Sequence, residues 1–321
     1  MNRNKANLMC LLCAALWGMG FIATADALKT FEPFAVMAIR FGGAAVLAWI
    51  PVFFQKEKLS TSLLGKGIVS GALLYLAFAF QTLGLDLTDT GMNAFLTSVN
   101  VILVPYIAWI CLKQKPNGRV LCASLVCLAG IGCLSLSHGS FSFRFGDFLS
   151  LICAGLFACH IVSLNGVRNE NPWLMNAVQL TAAAILSLPC AVIEGEWPAH
   201  IGQDAVWSCL YSIVFSTFIC YMLQTTAQKY TSPSTASLLL ATESLWANVF
   251  GWAILKEQKS WIMIVGGLLI FAAILIVEGR SKKKPNEAHA DIRKPAEHII
   301  PEPVQVQATH SYCLEWEKEK L

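Results

Sequence analysis

Ten long apolar runs fill residues 6 to 279 of this chain, and the fourth and ninth read alike. Thr88 to Lys115 lies without gaps over Thr231 to Gln258 at an offset of 143 (231 − 88). Shared in that register are Thr88/Thr231, Leu96/Leu239, Trp109/Trp252, Leu112/Leu255 and Lys113/Lys256, and just upstream Gln81-Thr82 matches Gln224-Thr225. Sparse identity kept in one register across two spans and their flanks marks an internal duplication. The runs centre on residues 6–24, 34–54, 65–83, 91–112, 119–137, 146–165, 173–193, 205–227, 234–255 and 260–279.

A bilayer core requires about 20 consecutive apolar residues per helix. These runs meet that length, in a chain 56% hydrophobic and only 13% charged. Lipid offers no partner for backbone N–H and C=O groups, so each run is expected to be a helix. Membrane strands would alternate over about ten residues, and these runs are continuous. The fold class expected is therefore an all-α polytopic membrane protein of ten transmembrane helices.

The N-terminal segment resembles a secretory signal, with Arg3 and Lys5, an apolar run and Ala23-Thr24-Ala25. Trp17-Gly18 interrupts the run, and we read it as an uncleaved first span. The twelve cysteines fall almost wholly inside spans, where they serve as small apolar packers. Cys10 and Cys13 have no second ligand pair nearby, so no metal or other cofactor is expected. With the N-terminus inside, fourteen Lys and Arg lie on the inner side and four on the outer. That bias places both termini in the cytoplasm and the protein in the cytoplasmic membrane. Nothing in the charge pattern suggests a nucleic-acid surface; the expected partners are the lipid bilayer and a small-molecule substrate.

Five spans per half, an odd number, require the second half to insert upside down relative to the first. Inverted repeats are a common architecture of secondary transporters. The expected first repeat is residues 1–137, the linker 138–145, the second repeat 146–280 and a polar cytoplasmic tail 281–321. That tail is too polar to bury a core and is expected to be disordered. Glu32-Pro33 over Asn171-Pro172, and Arg40 over Gln179, extend the duplication at an offset of 139 (179 − 40). Gly67-x-x-x-Gly71 and Gly266-Gly267 permit close helix approach, within the fold or in a homodimer.

Two charges fall inside spans: Arg40 on the second and Glu243 on the ninth. A central charge costs about 2.5–3.5 kcal/mol even on the lenient insertion scale, so such residues are expected to face a cavity or a partner. The structural alternatives are a snorkelling Arg40 and a Glu243 hydrogen-bonded to a neighbouring helix. On the cavity reading, Arg40 attracts an anionic group of the substrate and Glu243 takes part in proton coupling. Asn100 is the repeat-equivalent of Glu243. Trp17, Gln81, Tyr106, Tyr221 and Gln224 are further candidates for the cavity wall. His160 is the natural candidate for a proton carrier, against the plainer reading of a packing histidine.

Ala15-Leu16-Trp17-Gly18, Glu32-Pro33 with Arg40-Phe41, and Asn100-Val-Ile-Leu-Val-Pro105 resemble the EamA-type transporters of the drug/metabolite transporter superfamily. So do Glu243-Ser244 and Leu255-Lys256-Glu257, followed by a glycine-containing last span. The resemblance covers about residues 6 to 279. It implies a 5+5 inverted repeat around a cavity that opens alternately to either side, moving amino acids, other metabolites or drugs, often outward. Two positions depart from the pattern: Ser244 stands where a proline usually follows the glutamate, and Gln114 replaces a glutamate. The first departure puts a bend in the ninth span in question. The competing class is a membrane-embedded enzyme acting on a lipid or small headgroup. It would need converging nucleophile, base or metal ligands; no such motif is found, and the chain is read as a non-enzyme.

Overall fold

The computed structural model describes residues 1–55, 58–88, 90–135, 143–195, 197–255 and 261–278. The tail 281–321 and most of the 138–145 linker lie outside these described residues. The chain runs α1 (Arg3–Ala27), α2 (Pro33–Phe53), α3 (Thr61–Leu87), α4 (Thr90–Thr97), α5 (Asn100–Leu112) and α6 (Gly118–Ser135). It continues with α7 (Phe145–Asn165), α8 (Pro172–Glu194), α9 (Gln203–Tyr211), a π-helix over Ser212–Ile219, α10 (Cys220–Ala227), α11 (Pro233–Leu240), α12 (Glu243–Leu255) and α13 (Trp261–Glu278). Among the described residues, seven stretches are long and apolar enough to cross a bilayer: α1, α2, α3, Met92–Leu112, α7, α8 and Gln203–Ala227. The fifth and tenth runs form shorter apolar helices. The ninth is broken between α11 and α12.

α2 and α8, equivalent helices of the two halves, run antiparallel, and their ends show it. The Glu194 carboxylate at the end of α8 accepts from the backbone N–H groups of Phe34 (3.0 Å) and Ala35 (3.2 Å) in the first turn of α2. At the other end Asn171, the N-cap of α8, donates to Gln55 Oε1 just beyond α2 (2.9 Å). Gln55 and Glu194 are themselves 139 residues apart (194 − 55), so the two contacts are repeat-equivalent. The Glu194 contact satisfies N–H groups at a helix start, where the first ones lack intrahelical acceptors; the Gln55 contact holds the Asn171 side chain, whose Oδ1 accepts from Trp173 N–H at 2.8 Å. Proline at the first position of both helices removes one of those donors. Gly195, at φ 77°, ends α8 in the left-handed conformation that favours glycine.

Packing follows the same exchange. α2 lies on α8 and α6 on α13, each helix against its own equivalent, while α1 meets α12 and α10 as α7 meets α5 and α3. Small residues set the closest approaches. Gly71 faces the Gln179 carbonyl of α8, and Gly130 of α6 and Gly266 of α13 each lie against the other's backbone carbonyl. The small-residue motifs are therefore used inside the chain. Cys13 and Cys220 are also packed across helices, each thiol donating to the other's carbonyl at 3.4 and 3.5 Å.

A Cβ at residue 71 would lie 2.3 Å from the Gln179 carbonyl oxygen, whereas nothing lies within 4 Å of one at residue 65 on the same helix. Gly71→Ala is expected to destabilise by about 1–3 kcal/mol through overpacking. Gly65→Ala should be neutral or stabilising by up to about 1 kcal/mol. Thermal unfolding of the two variants in one detergent checks the difference.

Candidate functional site

The fourth and ninth spans break at equivalent places. Ser98-Val99 separates α4 from α5, and Ala241-Thr242 separates α11 from α12. Two backbone bonds at the breaks are repeat-equivalent. Ser98 N–H reaches Ala94 O as Ala241 N–H reaches Ser237 O, and Val99 N–H reaches Leu96 O as Thr242 N–H reaches Leu239 O. The ladder thus tightens from i−4 to i−3 spacing. Hydroxyls occupy carbonyls on both sides: Ser98 Oγ donates to Ala94 O at 2.8 Å, and Thr242 Oγ1 to Leu239 O at 2.7 Å. The ninth span therefore breaks without the proline that Ser244 replaces, and Ser98 and Ser244 hydroxyls meet across the two breaks at 3.3 Å.

Asn100 and Glu243 are the first residues of the half-helices that follow, and both line one central cavity of about 70 Å³. That volume holds a group of a few heavy atoms. Arg40, Trp17 and Gln81 line it from the first half; His160, Tyr221 and Gln224 line it from the second. Eight of the nine candidate residues are thus brought to one place. Tyr106 is not. It lies six residues beyond Asn100 on α5, about 240° round the helix, and is 45% exposed. It belongs to the outer face, away from the stripe of Asn100, Val101, Val104 and Ala108 that packs inward.

Arg40 is buried and does not snorkel. Its Nε donates to Thr217 Oγ1 (3.0 Å) and its Nη2 to Ser216 Oγ (3.3 Å). The guanidinium also sits 4.3 Å from the centroid of the Phe78 ring, a cation–π contact strengthened by exclusion of water. Among the described residues no carboxylate lies within ion-pair distance of it. Both hydroxyls belong to the π-helix. The Ser216 carbonyl there also accepts from the Trp17 indole at 2.8 Å. The sequence carries no glycine or proline in Ser212–Ile219 to announce this segment, and Ser216 and Thr217 were not among the expected site residues.

Gly20 and Gly18 let α1 close on these parts. A Cβ on Gly20 would stand 2.4 Å from Ser216 Oγ, and one on Gly18 would stand 2.6 Å from Trp246 Cβ and 2.9 Å from Glu243 O. Phe21 lines the central cavity and also a larger one of about 930 Å³ beside the other face of α1. Several buried polar atoms at the centre have no hydrogen-bond partner among the described residues, including His160 Nδ1, the Tyr221 hydroxyl and Gln224 Oε1. Among the described residues no group of three His, Cys, Asp or Glu is placed to hold a metal ion.

Duplicated helical halves that meet at a polar cavity buried among apolar spans define an integral membrane protein of the transporter class. The chain belongs to the EamA-like transporter family, whose model matches residues 4–136 and again 144–278. It is 32% identical over 279 residues to an uncharacterized transporter of Archaeoglobus fulgidus, covering 87% of each chain. It is 25% identical over 272 residues to the uncharacterized transporter YoaV of Bacillus subtilis, covering 81% of this chain and 92% of that one. A crystal structure at 16% identity shares the fold, with a TM-score of 0.73 over 86% of this chain and 97% of that chain.

Thr217→Val keeps the side-chain shape and removes one acceptor from the buried guanidinium. A hydrogen bond to a charged group contributes about 1.5–3 kcal/mol, and that loss of stability is expected on thermal unfolding. An unchanged midpoint would mean that Arg40 does not depend on Thr217.

Proposed function

We propose that this transporter moves a small metabolite across the cytoplasmic membrane by alternating access, outward and coupled to protons. The observation that carries the reading is that Arg40 and Glu243 line one cavity bounded by two equivalent helix breaks. Irregular backbone at membrane depth is tolerated where it is buried in protein or lines a cavity. Discontinuous helices at a repeat interface are the usual frame of a transported-solute site. Two halves of near-equal packing then exchange conformations, so that the site faces first one side and then the other.

On this reading the two repeats, residues 1–137 and 146–280, each cross the membrane five times, with both termini in the cytoplasm. Arg40, held by Ser216 and Thr217, supplies positive charge for an anionic or zwitterionic cargo. Glu243 has no hydrogen bond or ion pair among the described residues, and its carboxyl is free to exchange a proton with the cavity. Asn100, in the equivalent position, donates to Thr97 O at 2.9 Å. A protonated Glu243 could make the corresponding bond to Leu240 O, and an ionised one could not. Proton uptake would thus couple directly to the helix break.

Flux across vesicles containing the purified protein tests these roles separately. A saturable, solute-specific flux without chemical turnover of the solute is expected. Arg40→Ala should lower kcat/KM for an anionic or zwitterionic cargo at least tenfold, about 1.4 kcal/mol. Glu243→Gln should abolish accumulation driven by a proton gradient and retain solute exchange. A Glu243→Gln protein that still concentrates solute under that gradient would remove the coupling role.

A further inference from the structure

The orientation of His160 is set by a chain of hydrogen bonds that begins at a backbone carbonyl. Phe218 O can only accept, and Asn176 Nδ2 donates to it at 3.5 Å. Asn176 Oδ1 therefore faces the other way and accepts from Gln179 Nε2 at 3.1 Å. The same Gln179 nitrogen meets Thr225 Oγ1 at 3.1 Å. Gln179 is left presenting its carbonyl to His160, 3.1 Å from Nε2. A carbonyl has no proton to give, so the imidazole must donate from Nε2. In the neutral ring the lone pair then lies on Nδ1.

That nitrogen is buried without a partner, as are Gln224 Oε1 and the Tyr221 hydroxyl, and all three residues line the central cavity. Tyr221 and Gln224 stand one turn apart on α10, and the Tyr221 ring meets His160 edge-on at 5.8 Å. Leaving a buried polar atom unmatched costs about 1–3 kcal/mol, so a ligand able to bond all three is favoured over one that is not. A primary ammonium carries three donors. It also suits the aromatic corner of Trp17 and Tyr221, whose centroids lie 5.5 Å apart, and the carboxylate of Glu243 on the same cavity can balance its charge.

We infer that His160 is a fixed hydrogen-bond acceptor which, with Gln224 and Tyr221, selects cargo bearing a protonated amine, and that Gln179 is its positioning residue. This rests on the reading of the cavity as the transported-solute site. It assigns His160 to recognition and not to carrying a proton.

Butylamine and butyrate, which offer an ammonium or a carboxylate on the same short apolar stem, are the probes, and saturation-transfer NMR on the full chain in nanodiscs is the measurement, with empty nanodiscs as reference. His160→Phe is expected to weaken butylamine at least tenfold and leave butyrate unchanged. Unaltered butylamine affinity, or an equal loss for both ligands, would overturn the assignment. Should His160→Phe fail to assemble, Gln179→Leu gives the reading. Freed from its carbonyl partner, the imidazole spends part of its time with Nδ1 protonated, and butylamine alone should weaken several-fold; an unchanged value would overturn the proposal. Butylamine binding through His160 without solute flux in vesicles would remove the transport reading alone. Flux with amine binding indifferent to His160 would remove this one alone.

Discussion

Backbone polar groups have no partners in lipid, and the architecture around the cavity follows from how this chain meets that constraint where its helices stop. An unbroken span satisfies every N–H and C=O internally. The fourth and ninth spans give that up at Ser98-Val99 and Ala241-Thr242, and recover it with i−3 bonds and two inward-turned hydroxyls. Because the breaks face each other, the region freed from regular helix is shared between the repeats and lies where the cavity forms. The same rule governs the ends of α2 and α8, where side chains from the opposite repeat cap the free N–H groups of one and pair with the N-cap of the other.

Duplication preserved the backbone and let the side chains diverge. Arg40 and Gln179 occupy equivalent positions, yet one is a cation held by two hydroxyls and the other a neutral amide relaying hydrogen-bond direction. Asn100 and Glu243 open equivalent half-helices, and only Asn100 has the N–H that satisfies the carbonyl three residues back. A symmetric frame favours two conformations of similar energy, and asymmetric side chains give the cavity chemically different walls. On the transport reading proposed above, both properties suit a site that must bind a particular solute and still release it on either side.

Much of the fold was legible in the sequence because the bilayer reduces folding to length and hydropathy, and because the register of the repeat survived. Glu32-Pro33 over Asn171-Pro172 located the starts of α2 and α8. The lone charges pointed to the cavity for an energetic reason, and Trp17, Gln81 and Gln224 followed from polarity at depth. Tyr106 went astray because polarity at depth says nothing about helical phase: it lies on the outward side of α5. The break in the ninth span was doubted for want of a proline, but it forms with the Thr242 hydroxyl sharing the Leu239 carbonyl with its own N–H, as the Ser98 hydroxyl shares the Ala94 carbonyl at the equivalent break. Nothing in SIVFSTFI signals a π-helix, and the contacts it makes with the Trp17 indole and the Arg40 guanidinium are tertiary, out of reach of the local sequence.

Those partners also explain why α1 matters more than its modest polarity suggests. Trp17 binds the π-helix carbonyl beside the residues that hold Arg40, and one residue on, Gly18 touches the first turn of α12 at Glu243. A single rigid helix therefore contacts the supports of both ionisable groups within about one turn. The cationic end of the cavity cannot shift against the carboxylate end without moving α1, because close-packed helices transmit displacement and do not absorb it. Glycine at 18 and 20 is what makes this coupling tight, since any larger residue would hold α1 away from one support or the other.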